Sequence, residues 1–315
     1  MKQIVVIGSI NLDIVSRVKQ HPLPGETIKS VKTEFNPGGK GANQAVAAAR
    51  AGGNVTMAGA VGNDPFGEQL LTSLEKDKIN IENVVRKTGK SGLAFITVNE
   101  SGENSIILEE GANGQFTKEN ADAMLKKING ENTILLLQNE IPWMITEWII
   151  NKAHQQKIPV FLNPAPAKKI SDQVLSMLNG LFVNETEAEV LSGVSIVNEQ
   201  SARRSAQALL QTGVAEVIIT AGKKGSYYAD QAGTFIFTPA YPVTTIDTTA
   251  AGDTFIGTYI VAKASGKSTE ASLQFATVAS ALTVMKEGAQ LSIPNQALIQ
   301  SALNQYNSKI ISNQE

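Results

Sequence analysis

No cysteine occurs among the 315 residues. Disulfides and thiolate metal sites are therefore excluded, and the chain fits a reducing compartment. Histidine is scarce: His21 and His154 are too few for a histidine-rich metal site. Neither sign of charge dominates, since 27 basic residues face 29 acidic ones for a net charge of −2. A broad nucleic-acid surface is not expected from that balance. No stretch approaches the roughly 18 apolar residues needed to span a bilayer. The run Ile4, Val5, Val6 and Ile7 is cut by Asn11 and Asp13, which argues against a secretory signal. The expectation is a soluble, cytoplasmic protein with no nucleic-acid or membrane partner. There is also no internal repeat and no linker rich in Pro, Gly or Ser, so 1–315 reads as one domain.

The familiar nucleotide loops are missing too. Gly266, Lys267 and Ser268 resemble the end of a Walker A loop, but Val261 occupies its upstream glycine position. Gly39 and Gly41 lack the third glycine of a dinucleotide fingerprint, since Gln44 stands there.

What is present is a 42% apolar composition, enough for a sizeable core. Short β-branched runs at 4–8, 55–60, 133–138, 160–163, 181–183 and 217–220 read as strands. Helical patterns at 41–51, 67–76, 120–128, 146–156 and 202–211 lie between them. This alternation predicts an α/β fold with a doubly wound, mostly parallel central sheet and helices on both faces. Trp143 and Trp148 are expected to pack rather than stack on a ligand. Two regions break the rhythm. Residues 13–33 lack a helical pattern, and 92–108 read as strands 93–98 and 104–108 around a turn at Gly102. They predict a small β-sheet lid, from about 13–36 and 92–110, that covers a site or pairs with another subunit. The last residues, 308–315, are expected to fray.

Several segments carry chemistry. Ala250, Ala251 and Gly252 precede Asp253, which opens an apolar helical segment from Phe255 to Ala262. A helix N-terminus flanked by small residues suits a phosphate, and a neighbouring carboxylate suits proton removal from an attacking alcohol. The alternative is a simple helix start with Asp253 as a cap. Gly38, Gly39, Lys40, Gly41, Ala42, Asn43, Gln44 and Ala45 form either a ligand-approaching turn or a turn needing positive φ. Asn11 and Asp13 share one face of an extended chain after the first strand and suit hydroxyls, or form an Asx turn. Glu140 holds a similar strand-end position and binds hydroxyls or starts the turn at Pro142. Asn184, Glu185, Thr186, Glu187, Ala188 and Glu189 hold a hydrated Mg²⁺ or cap a helix. Thr220, Ala221, Gly222, Lys223, Lys224 and Gly225 line a nucleotide or make a hairpin turn.

Taken in order, these segments, with Gly8 to Asp13, the Asn163-Pro-Ala-Pro-Ala167 stretch and Asp247 to Phe255, resemble the ribokinase-like (PfkB) family of carbohydrate kinases over essentially the whole chain. The resemblance implies phosphoryl transfer from ATP to the 5-hydroxyl of D-ribose; a kinase for another sugar or a nucleoside, or a non-catalytic sugar sensor, are the alternatives. It implies that Asn11, Asp13, Gly39, Lys40, Asn43 and Glu140 bind the sugar. Asp253 is the implied base, beside an anion hole of the Ala250, Ala251 and Gly252 N–H groups. Asn184, Thr220, Gly222 and Gly225 would line the ATP site, and Glu187 would act on Mg²⁺ through water. A monovalent cation, usually K⁺, would sit among Asp247, Thr249, Thr283, Lys286, Gly288 and Ser292. The chain departs from the family at Thr277, an adenine-contact position in helix 271–286 that often carries His or Asn. The family's lid also forms a homodimer interface.

Overall fold

The protein is described by a computed structural model for residues 1–128 and 130–312, with side chains as far as 305. The strands are β1 (Gln3–Ile7), β2 (Asn11–Arg17), β3 (Lys32–Gly38), β4 (Val55–Gly62), β5 (Asn80–Lys87), β6 (Gly92–Val98), β7 (Asn104–Glu109), β8 (Thr133–Gln138), β9 (Val160–Asn163), β10 (Gly180–Asn184), β11 (Glu216–Thr220), β12 (Gly225–Asp230) and β13 (Phe235–Pro239). The helices are α1 (Lys40–Arg50), α2 (Pro65–Lys76), α3 (Lys118–Leu125), α4 (Trp143–Gln155), α5 (Asp172–Leu175), α6 (Glu185–Ser192), α7 (Glu199–Gln211), α8 (Ala251–Ala264), α9 (Thr269–Thr283), α10 (Ala289–Ser292) and α11 (Gln296–Ser312). The last helix continues through Ser312 rather than fraying from 308, and 313–315 lie outside the described residues.

Nine strands form the central sheet, in the order β13-β12-β11-β10-β9-β8-β1-β4-β5. The pairings from β11 across to β5 are parallel, and β12 and β13 close one edge as an antiparallel hairpin. Side-chain alternation explains why these strands read as continuous apolar runs. Ile4 and Val6 of β1 enter one apolar layer, with α1, α2, α8, α9 and α11. Val5 and Ile7 enter the other, with α3 to α7. Trp143 and Trp148 pack against this second layer.

The chain builds from β1 toward β5 and later from β8 toward β13. The winding therefore reverses between β1 and β8, where crevices open beyond the strand ends. Asn11, Asp13 and Glu140 all follow these two ends.

A second sheet has the order β3-β2-β6-β7. It begins at Asn11, two residues earlier than the expected lid, so Asn11 and Asp13 lie in a strand rather than an Asx turn. One face, with Val15, Arg17, Ala94, Ile96, Ile106 and Leu108, lines a cleft over the central sheet. On the other face Phe35, Ile14, Phe95 and Ile107 register in one row. Phe35, Phe95 and Ile107 of that row are exposed. Arg17 forms an ion pair with Glu287 at 3.3 Å, tying the end of β2 to the segment before α10.

Candidate active site

Asp253 is nearly buried and sits in the first turn of α8. It does not cap its own helix. Its Oδ2 accepts from Asn43 Nδ2 at 3.1 Å and its Oδ1 from Gln44 Nε2 at 3.0 Å. Close packing of α8 on α1 makes these bonds reachable. Gly257, one turn beyond Asp253, faces α1 so tightly that a Cβ would lie 2.5 Å from the Gln44 carbonyl. Ala45, Ala47 and Ala48 are fully buried around that contact.

Five other residues expected at the sugar site surround the same cleft of about 950 Å³. Asp13 is 6% exposed, and no hydrogen-bond donor reaches its carboxylate among the described residues. Burial, reinforced by Glu140 and Asp253, raises its pKa to about 7 against the opposing pull of Lys40. Gly38 makes the space: the Asp13 carboxylate occupies the position that a Cβ there would take. Burial works against the Lys40 ammonium, yet Asp253, Glu140, Glu187 and Asp13 outweigh it and hold its pKa above the ordinary range. Glu140 Oε2 accepts from Ser9 Oγ at 2.5 Å and from the Lys40 N–H at 3.1 Å, anchoring the start of α1. Asn11 Oδ1 accepts from Asn113 Nδ2 at 2.7 Å, and Asn113 Oδ1 accepts from the Ile10 N–H at 3.0 Å. The Asn11 amide is thus oriented with its nitrogen free for the cleft. Gly39 takes φ 88°, and a Cβ there would meet the Asn11 backbone nitrogen at 2.8 Å.

Ala250 precedes α8 in the left-handed region at φ 60°. The Ala251 N–H is engaged by the Thr248 carbonyl at 3.2 Å, whereas the Gly252 and Asp253 N–H groups take no protein acceptor among the described residues. A Cβ on Gly252 would meet nothing within 4 Å. The helix start is therefore open to a ligand at Gly252.

Asp247 joins this turn to the segment before α10. Its Oδ1 accepts from the Thr249 N–H at 2.9 Å and Thr249 Oγ1 at 2.7 Å, and its Oδ2 from the Gly288 N–H at 3.0 Å. Burial opposes its charge, but these donors and Arg17 hold its pKa below the ordinary carboxylate value. The Lys286 N–H bonds the Thr283 carbonyl at 3.2 Å in the same connection. The Thr283 and Ser292 hydroxyls turn inward to the Ala279 and Ala289 carbonyls.

A second cavity of about 210 Å³ adjoins the first. Lys40, Ala165, Glu187, Thr248, Ala250 and Asp253 border both. Asn184, Thr220, Ala251 and Gly252 line the second; Gly222, Gly225 and Thr277 do not. Asn184 and Glu187 form a reciprocal capping box, with Glu187 Oε2 accepting from the Asn184 N–H at 2.9 Å. The capping alternative for this run is therefore observed, while the Glu187 carboxylate still borders both cavities. Burial raises its pKa above the ordinary value, against the Asn184 N–H and Lys40. Gly225, at φ 122°, is required by the β12 hairpin, because a Cβ would run into the Thr238 carbonyl. Thr277 is buried in α9 and its hydroxyl has no partner among the described residues.

Comparison with known proteins adds a family. The model of pfkB family carbohydrate kinases matches residues 1–296. This chain belongs to the pfkB family of carbohydrate kinases. Its likeness to a ribokinase of Schizosaccharomyces pombe is 42% identity over 96% of this chain and 98% of that protein. A ribokinase structure from Thermotoga maritima superposes with a TM-score of 0.86 at 36% identity, covering 96% of this chain and 100% of that one. An Arabidopsis thaliana ribokinase complexed with ribose and ATP gives 0.87 at 30% identity, covering 96% and 98%. The nine-stranded sheet with its separate four-stranded sheet is the fold of these pfkB relatives.

Motif reading alone did not single out several residues of this pfkB site. Ser9, Asn113, Gln138 and Gln290 have no distinctive spacing, and Gln44 stood in the glycine-rich turn with no role of its own. They act through contacts between distant elements, as in the Gln290 Nε2 bond to Asn43 Oδ1 at 3.3 Å. Gly38 stood in the glycine-rich turn, but its task, making room for Asp13, depends on the pairing of β3 with β2.

Proposed function

We propose that the protein transfers the terminal phosphoryl group of ATP to the 5-hydroxyl of D-ribose, giving D-ribose 5-phosphate and ADP. The observation that carries this reading is the junction of the two cavities at Asp253 and Ala250. A cleft that holds a buried carboxylate with no donor among the described residues meets a helix start with open N–H groups. Asp253, between them, takes the proton of the attacking hydroxyl. The hydroxyl oxygen bonds to the γ-phosphorus as the bond to the β-phosphate oxygen breaks. Ala250, Ala251 and Gly252 form the anion hole, with the unengaged Gly252 N–H as its strongest donor. Asn11, Asp13, Gly39, Lys40, Asn43 and Glu140 hold the sugar. Among the described residues no aromatic side chain lines the cleft, which favours a small polyol over a base-bearing nucleoside. Asn184, Thr220, Gly222, Gly225 and Thr277 are assigned to the nucleotide.

Mg²⁺ fits a site with one carboxylate, because it keeps waters and takes phosphate oxygens. Glu187 would hold it through water, and it would neutralise phosphate charge. A monovalent cation, K⁺, would take hard oxygens of Asp247 and Thr249 on one side and of Thr283, Lys286, Gly288 and Ser292 on the other, several of them backbone carbonyls. It would steady the Ala250–Gly252 turn through the Asp247 bridge. We read 1–315 as a single domain with the lid inserted, working as a homodimer whose contact covers Phe35, Phe95 and Ile107. The same reading places it in the cytoplasm, where ATP is available; among the described residues no helix is long and apolar enough to cross a membrane.

The test is a coupled ADP-release assay over pentoses, hexoses and nucleosides, with and without K⁺. Fastest turnover on D-ribose supports the reading. Preference for a nucleoside, or sugar binding without turnover, overturns it.

A further inference from the structure

We propose that Gln44 is a positioning residue for Asp253, holding Oδ1 so that Oδ2 is the oxygen that takes the substrate proton. The inference rests on Asp253 being the base. Gln44 is fully buried and lines neither cavity, so it does not touch a ligand. Its amide has one orientation consistent with its neighbours. Gln138 Nε2 donates to Gln44 Oε1 at 2.7 Å, which turns the Gln44 nitrogen the other way. That nitrogen donates to Asp253 Oδ1 at 3.0 Å and to Asn163 Oδ1 at 3.2 Å. Asn163 is oriented in turn by its Nδ2 bond to the Phe182 carbonyl at 3.0 Å. The chain of amides therefore runs from β10 through β9 and α1 to β8, and Asp253 is attached to its middle. Gly8 belongs to it as well, because the Gln138 amide fills the space of a Cβ there.

The two oxygens of Asp253 differ in what holds them. Oδ2 is bonded by Asn43, which lines the cleft and would exchange that bond for a sugar hydroxyl. Oδ1 is bonded by Gln44, which no ligand reaches. A carboxylate free to rotate would interchange its oxygens and spend time misaligned. An amide fixed at one oxygen prevents this, as supporting partners do for other reacting groups.

The test is Gln44→Met, which preserves length and apolar fit but removes the N–H donors. Steady-state kinetics with ribose should show kcat lowered by about tenfold to a hundredfold, with KM within about threefold. The acid limb of kcat should move to higher pH, because a donor to the charged form is lost. The charged groups sharing the site are Asp13 from β2, Lys40 from α1, Glu140 after β8 and Glu187 from α6. Reading kcat at saturating sugar leaves effects of Asp13 on sugar affinity in KM. Gln44→Glu should move the limb further. Should Gln44→Met not fold, Gln138→Met, which frees the Gln44 amide to turn, should give the same signature in smaller measure. A packing role alone would lower thermal stability and leave the limb in place. A folded Gln44→Met with wild-type kcat and pH profile, or with its loss confined to KM, overturns the proposal. Wild-type protein that phosphorylates no sugar would instead overturn the function itself.

Discussion

Replacing Asp13 by asparagine should stabilise the ligand-free protein at neutral pH while weakening sugar binding. Asp13 is held at about 7 against an ordinary 3.8, chiefly by burial, and no donor among the described residues compensates it. Between those values the folded form keeps a proton that the unfolded chain releases. The unfolded state binds fewer protons, so stability falls as pH rises from about 4 to about 7. At ~1.4 kcal/mol for each pKa unit, the roughly 3-unit rise costs up to ~4 kcal/mol once Asp13 ionises. The Asp13→Asn variant keeps the side-chain shape and, having no charge to bury, escapes that cost. Urea denaturation should therefore show the variant more stable than wild type by about 2–4 kcal/mol near pH 8, by about 1–2 kcal/mol near pH 5, and nearly equal below about pH 4. Calorimetry should show ribose affinity reduced by about tenfold to a hundredfold, the scale of a lost charged hydrogen bond. Equal pH dependence of the two proteins would refute the argument, as would a variant less stable at pH 8.

Gly252→Ala should fold as well as wild type, since nothing lies where its Cβ would go. It should nevertheless lose about a hundredfold or more in kcat, measured in the coupled assay, if the transferring group approaches that N–H. Gly225→Ala is its converse and should lower stability by more than about 1 kcal/mol in thermal melts, because φ 122° and the Thr238 carbonyl exclude a side chain. Glu187→Gln should shift the Mg²⁺ titration of activity to several-fold higher concentration, about the effect of losing one water-mediated carboxylate. Asp247→Asn should abolish the difference between K⁺ and Na⁺ in kcat.

The parallel core was legible because its strands are buried on both faces and read as uninterrupted apolar runs. The expected 133–138 and 160–163 coincide with β8 and β9. β5 was missed because it lies at the sheet edge and its residues alternate irregularly between exposed and half-buried. Of the two edge strands β12 and β13, only the turn from β11 into β12 was visible, as the possible hairpin turn at Gly222 and Gly225. The helix expected at 120–128 is shorter, ending at Leu125, where Lys126 and Lys127 leave the apolar face. In the site, residues that would meet a ligand carried recognisable local patterns. Those that orient them, Gln44 and Gln138 above all, became visible only when β8, β9, α1 and α8 were brought together.

The central claim is that Asp253 removes the proton at the junction of the two cavities. The most direct measurement is turnover by Asp253→Asn, with ribose and ATP binding followed by calorimetry in the same preparation. The account predicts binding within a few-fold of wild type and a loss of about two to four orders of magnitude in kcat. Turnover near the wild-type rate, with both ligands bound, would contradict it.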